Sequence, residues 1–250
     1  MIKKKLKLIL IIIFFVYQTF AYSKTTDKND FNPKYLSSYF SAIISQNNLA
    51  NDNSIKYFNA SKILINKHEK YLKKYVIALT INNEVQKSIN IIKQNRNKIN
   101  SNFYEAELLL LIDNFKKKKF EENVELLMEF KRYREYGNYQ YIIYEVLKSF
   151  NDLFLFKKLD KDNKRNLGKL SLINEAFEYC YLNHPDTGSK FINLINSNET
   201  NYTRYLFFYL NNLIKNKDFT SAHQISNTVS PLDSNLLIQQ TKQWIKNSNY

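Results

Sequence analysis

Two short stretches constrain the whole chain. NDNSIKYFNASKILI begins at Asn51 and INNEVQKSINIIKQN begins at Ile81. Each runs from an Asn-rich polar turn through Ser-Ile into an apolar pair, and Ser54 and Ser88 stand 34 residues apart. The interval returns elsewhere: Asn123, in FEENVELL, follows Ser88 at 35, and Ala222, in SAHQIS, lies 33 beyond Ser189. The segments ahead of these residues keep step. Ala42, Val76 and Leu111 hold matching places, and Ala176 and Leu210 are again 34 apart. A chain that repeats itself at this interval builds from a supersecondary unit of that length, stacked on its neighbours.

The unit reads as two helices. Apolar residues recur at i, i+3, i+4 and i+7, as in YLKKYVIALTI, which is one face of a helix with 3.6 residues per turn. The pattern predicts helices over 34–48, 52–66, 68–82, 84–97, 101–117 and 120–135. It continues with 138–157, 168–183, 186–197, 200–216, 218–229 and 232–247. Polar breaks between them supply N-cap residues, among them Asp52, Asn83, Ser101, Asp186, Asp218 and Asp233. Only 3 glycines and 3 prolines occur in 250 residues. Sandwiches and barrels need these residues at their turns, so their scarcity argues against an all-β fold, and an all-α fold is expected.

A helix hairpin repeating every 34 residues resembles the tetratricopeptide repeat, and the resemblance covers roughly residues 34–250. Phe58 in SIKYF and Ala222 in SAHQIS match the family's Phe and Ala, and Pro231 falls near its Pro. First helices here lack the family's Gly, and Ser or Asn often stands for its Ala. The resemblance implies a right-handed α-solenoid of antiparallel hairpins whose concave face holds a partner protein or peptide. Its packing positions are Ala42, Ser54, Phe58, Val76, Ser88, Leu111, Asn123, Ala176, Ser189, Leu210 and Ala222. One unit is irregular. KLDKDNKRNLG is too polar for a packed second helix, so 158–167 reads as a loop between hairpins at 34–157 and at 168–250. The helix from 232 reads as a first helix, either a terminal cap or the start of a hairpin that continues past residue 250.

The N-terminus carries an address. MIKKKLKLILIIIFFVYQTFAYSK has a basic start, an apolar run of 13 residues from Leu8 to Phe20, and small residues Ala21 and Ser23 before a cut at Lys24. A bilayer-crossing helix needs about 20 apolar residues. Residues 1–23 are therefore expected to be an export signal and 24–33 a short linker, with an uncleaved anchor in the inner membrane as the alternative. Periplasm or cell envelope is the expected location. The formal charge is +14, and removing the four lysines of the leader leaves +10. That basicity suits peripheral association with an anionic envelope surface, though Lys- and Asn-rich chains also arise from AT-rich coding sequence. The single Cys180 can form no internal disulfide, and its apolar neighbours in INEAFEYCYLN mark it as a small core residue.

Catalytic and cofactor motifs are missing. With glycine only at 137, 168 and 188, no dinucleotide fingerprint or nucleophile elbow can be written. RNLGKL lacks the first Gly and the Ser/Thr of a phosphate loop. DKDNKRNLG has Arg165 where a calcium loop turns on Gly. His68, His184 and His223 are scattered and read as turn or surface residues. The expectation is a non-catalytic protein without cofactor or metal, which engages no nucleic acid after export. A helical accessory domain of a longer envelope enzyme is the alternative. One stretch has binding character. KRYREYGNYQYIIYE interleaves Arg132 and Arg134 with Tyr133, Tyr136 and Tyr139, a mix that can clasp a peptide or pack between helices.

Overall fold

The computed structural model describes residues 32–96, 101–159, 167–196, 203–228 and 236–247. Among the described residues every regular element is a helix and there is no strand. The helices are α1 (Pro33–Asn47), α2 (Asn51–Ala60), α3 (Tyr71–Ile81), α4 (Val85–Asn95), α5 (Tyr104–Lys116) and α6 (Phe120–Phe130). They continue as α7 (Asn138–Phe156), α8 (Lys169–Tyr181), α9 (Thr187–Asn196), α10 (Thr203–Lys215), α11 (Phe219–Thr228) and α12 (Leu236–Asn247). The leader, Pro231, Asp233 and most of the 158–167 segment lie outside the described residues.

Two expected helices are shorter than their apolar pattern. The first stops at Ala60, where the Ser61 hydroxyl turns back to the carbonyls of Tyr57 (2.9 Å) and Phe58 (3.2 Å), and a 3-10 turn, Lys62–Asn66, continues it. A serine that bonds its own backbone competes with the helical ladder in this way. The second gives way after Phe130 to the 3-10 turn Lys131–Glu135. Asp218 caps as expected, its carboxylate accepting from Ser221 N–H at 3.1 Å. Asn83 does not cap α4: its φ of 61° places it in the left-handed region that ends α3.

That conformation recurs. Leu49, Asn83, Lys118, Asn183 and Lys217 all have φ between 50° and 63°. Each follows a first helix, and the next residue donates its N–H to the carbonyl five positions back. The five bonds are Ala50–Ser45 (2.9 Å), Glu84–Leu79 (2.8 Å), Lys119–Asn114 (2.9 Å), His184–Tyr179 (3.0 Å) and Asp218–Leu213 (2.9 Å). This is the Schellman closure, which satisfies the last carbonyls of a helix and reverses the chain. Glycine usually occupies its left-handed position, and here five side-chain-bearing residues do.

The chain divides into two compact units, residues 1–106 and 107–250, with the division inside α5. In the first unit α1 packs on α2, α3 on α4, and α3 also against α1 and α2. Ala42 and Val76 are completely buried, and so are Ser54 and Ser88 opposite them. Burying a hydroxyl demands a partner. Ser54 donates to the Ala42 carbonyl at 3.0 Å and Ser88 to the Val76 carbonyl at 3.3 Å. Phe58, also fully buried, meets Tyr39, Tyr71 and Tyr75 with ring centroids 5.5–6.1 Å apart. The Tyr71 hydroxyl donates to the Phe58 carbonyl, and burial pushes its phenol far above the usual range.

In the second unit Phe120 of α6 meets Phe154 of α7 at 5.0 Å, and Phe154 meets Tyr181 of α8 at 4.7 Å. Ser149 also ties α7 to α8, its hydroxyl 2.7 Å from Glu178 Oε1. Leu111 and Asn123 are fully buried, and the Asn123 amide finds no hydrogen-bond partner among the described residues. Ala176, Phe191, Leu194, Leu206, Tyr209, Leu210, Leu213, Ala222 and Ile245 form one core. Ser189 departs from its expected packing position. It is exposed and donates to the Asp186 carbonyl at 2.8 Å at the start of α9. The inward place belongs to Gly188, twelve residues after Ala176 as Ser54 is after Ala42. A Cβ there would lie 2.8 Å from the Tyr209 hydroxyl, so only glycine fits without a shift.

Candidate interaction surfaces

The arginine–tyrosine stretch folds into the 3-10 turn and the start of α7, and its members divide. Arg132 pairs with Glu107 of α5, a residue 3% exposed, and also bonds the Tyr133 hydroxyl at 3.0 Å. Tyr133 is itself buried against Phe130, and that burial pushes its phenol up. Arg134 Nε lies 3.1 Å from Glu145 Oε1, buried on α7, and its guanidinium covers the Tyr141 ring at 5.0 Å. The two arginines thus clamp the turn between α5 and α7 through buried carboxylates. Both guanidinium groups stay partly solvent-exposed while the carboxylates they meet are buried. Tyr136 and Tyr139 stand out furthest among the tyrosines of the stretch, 71% and 81% exposed.

Each unit, taken by itself, also exposes apolar residues on its first helices. Counted from the fully buried residue of each first helix, Phe40 lies two before Ala42 and Ile81 five after Val76. Ile112 lies one after Leu111, Tyr181 five after Ala176, and Phe208 two before Leu210. At about 100° per residue these offsets point roughly 100–160° away from the second helix. All five are 42–57% exposed. Hydrophobic periodicity had assigned these helices one apolar stripe facing the core. Because these residues fall at three different offsets, only the buried reference residue of each helix shows which side of that helix they occupy.

The remaining candidates for chemistry are accounted for locally. His68 Nδ1 accepts from Lys70 N–H at 3.3 Å, and His184 Nδ1 from Asp186 N–H at 3.2 Å, so both cap helical turns. His223 sits 3.1 Å from the Asn227 amide one turn on. Burial pushes the Cys180 thiol up, which opposes thiolate chemistry. Among the described residues no three His, Cys, Asp or Glu gather where a metal could be held. None of their helices is long and apolar enough to cross a membrane.

No protein-family model, no curated protein and no solved structure matches this chain.

Proposed function

We propose that this protein is a non-catalytic interaction scaffold or assembly factor of the cell envelope. It is built as a right-handed α-solenoid of tetratricopeptide-like hairpins and holds a partner protein or peptide on the face of its first helices. The observation that carries this reading is the recurrence of one construction at intervals of 34 and 35 residues. The left-handed closures at Leu49, Asn83 and Lys118, and again at Asn183 and Lys217, keep the same register as the buried residues from Ala42 to Leu111 and from Ala176 to Leu210. Ser54 and Ser88 make the same bond to the same place in their hairpins. An array of this kind stacks its repeats on one another and presents an extended concave surface for binding. The exposed apolar residues on the first helices of each unit are where a partner would sit.

Export rests on the leader sequence and the envelope location follows from it. Brief crosslinking and pull-down of the tagged protein from separated envelope and cytoplasmic fractions tests both. The expected result is a chain shortened by the leader, in the envelope, with a stoichiometric protein partner. Recovery from the cytoplasm at full length, or from the envelope without any protein partner, contradicts the reading.

A further inference from the structure

We propose that the α1/α3 face of the first unit is the binding surface and that it takes an acidic amphipathic helix of a partner protein. The inference rests on the scaffold reading and names the chemistry of its partner. α1 and α3 pack side by side, with Tyr39 and Tyr71 in ring contact at 5.7 Å. Along α1, Phe40 and Ile44 stand one turn apart at 57% and 61% exposure. Along α3, the half-buried Ile77 and the exposed Ile81 stand one turn apart in the same manner. Two parallel rows spaced at i, i+4 match the ridges of a docked helix.

Charge decides the partner's other face. α1 and α3 contain no acidic residue. Lys70 and Lys74 flank the apolar rows, and neither ammonium meets a carboxylate among the described residues. Lys73, one position on, points to the side and pairs with Glu105 at 2.9 Å. Residues 32–106 as a whole carry eleven Lys and Arg against four Asp and Glu. A lipid surface would meet the same groups less well. Two lysines fall below the clusters of roughly four to eight that hold proteins to membranes. An acidic helix needs only one carboxylate at each end of its apolar stripe.

The test is a fluorescence-anisotropy titration of the full 250-residue chain. The probe is a labelled peptide of about 16 residues, long enough to lie along α1, with Leu at i, i+3, i+4 and i+7 and Glu elsewhere. Two controls keep its length: one shuffles the order, the other replaces Glu with Lys. The Glu peptide is expected to bind saturably, and both controls about tenfold or more weaker. Phe40→Ser and Lys74→Glu should each weaken the Glu peptide about tenfold, and Lys74→Glu should improve the Lys peptide. Circular dichroism checks that these exposed-site variants keep their helices. Equal binding of the shuffled peptide, or no response to Phe40→Ser, overturns the inference. So does binding to phosphatidylglycerol-rich vesicles, lost in Phe40→Ser, when no peptide binds. If Tyr136→Ser with Tyr139→Ser abolishes peptide binding while Phe40→Ser does not, the site lies elsewhere and the scaffold reading alone survives.

Discussion

Ser54 and Ser88 do with one hydroxyl what a small apolar residue does elsewhere, and add a bond to the facing helix. Removing such a buried donor costs about 1 kcal/mol, the net contribution of one hydrogen bond; the Val76 carbonyl keeps its bond from the Thr80 hydroxyl at 2.9 Å. Ser88→Ala should therefore lower stability by that amount in urea unfolding, with the slope unchanged. Asn123 occupies the matching place in the third hairpin, fully buried and without a partner for its amide. Asn123→Ser should restore the shorter donor and stabilise by about 1 kcal/mol. A loss instead would mean that the amide is bonded in solution. Gly188 tests the same position by volume. Glycine to alanine within a helix ordinarily gains about 1 kcal/mol. Here the new methyl meets a Tyr209 ring stacked on Phe191 at 5.0 Å, so Gly188→Ala should give no gain in melting temperature. The fixed interval was readable in the sequence, and Ala42, Val76, Leu111, Ala176 and Leu210, which follow it, are all fully buried. Ser189 misled because Gly188 beside it carries no side chain by which periodicity could register it.

At the scale of elements, helix number and order were readable from the 3.6-residue period. The ends of helices were not. Where polar side chains bond their own backbone, as at Ser61, the apolar pattern runs on past the last α-helical residue. The left-handed closures were hidden for another reason, since the usual marker is glycine and here Lys, Asn and Leu stand in its place. Leu49 is the costliest of these, an exposed apolar side chain held at φ 59°. Leu49→Gly should relieve about 1 kcal/mol of left-handed strain and raise the thermal midpoint. The arginine clamp was half legible. Its composition marked the stretch as special, but only the positions of Glu107 and Glu145 turn two of its cations inward. Arg134→Ala should strand the buried Glu145 carboxylate and cost about 3 kcal/mol in urea unfolding. A change below 0.5 kcal/mol, about the size of a surface pair, would mean that the clamp is solvated.

On the scale of the molecule, the all-helical fold follows from a chain with almost no glycine or proline and a repeating hairpin. Function follows less directly, because a scaffold is defined by what it holds. The account places that activity on the outward side of first helices, where apolar residues are exposed, and not on second helices, although Met128 on α6 is 67% exposed. The most direct measurement compares the two sides in the native cell. A photo-crosslinking amino acid is placed at Phe40, at Ile81 and at Met128 in separate strains, and adducts are resolved by size after irradiation. One and the same polypeptide adduct is expected from Phe40 and Ile81, and none from Met128. Equal adducts from all three sites, adducts from Met128 alone, or labelling only of lipid would contradict it.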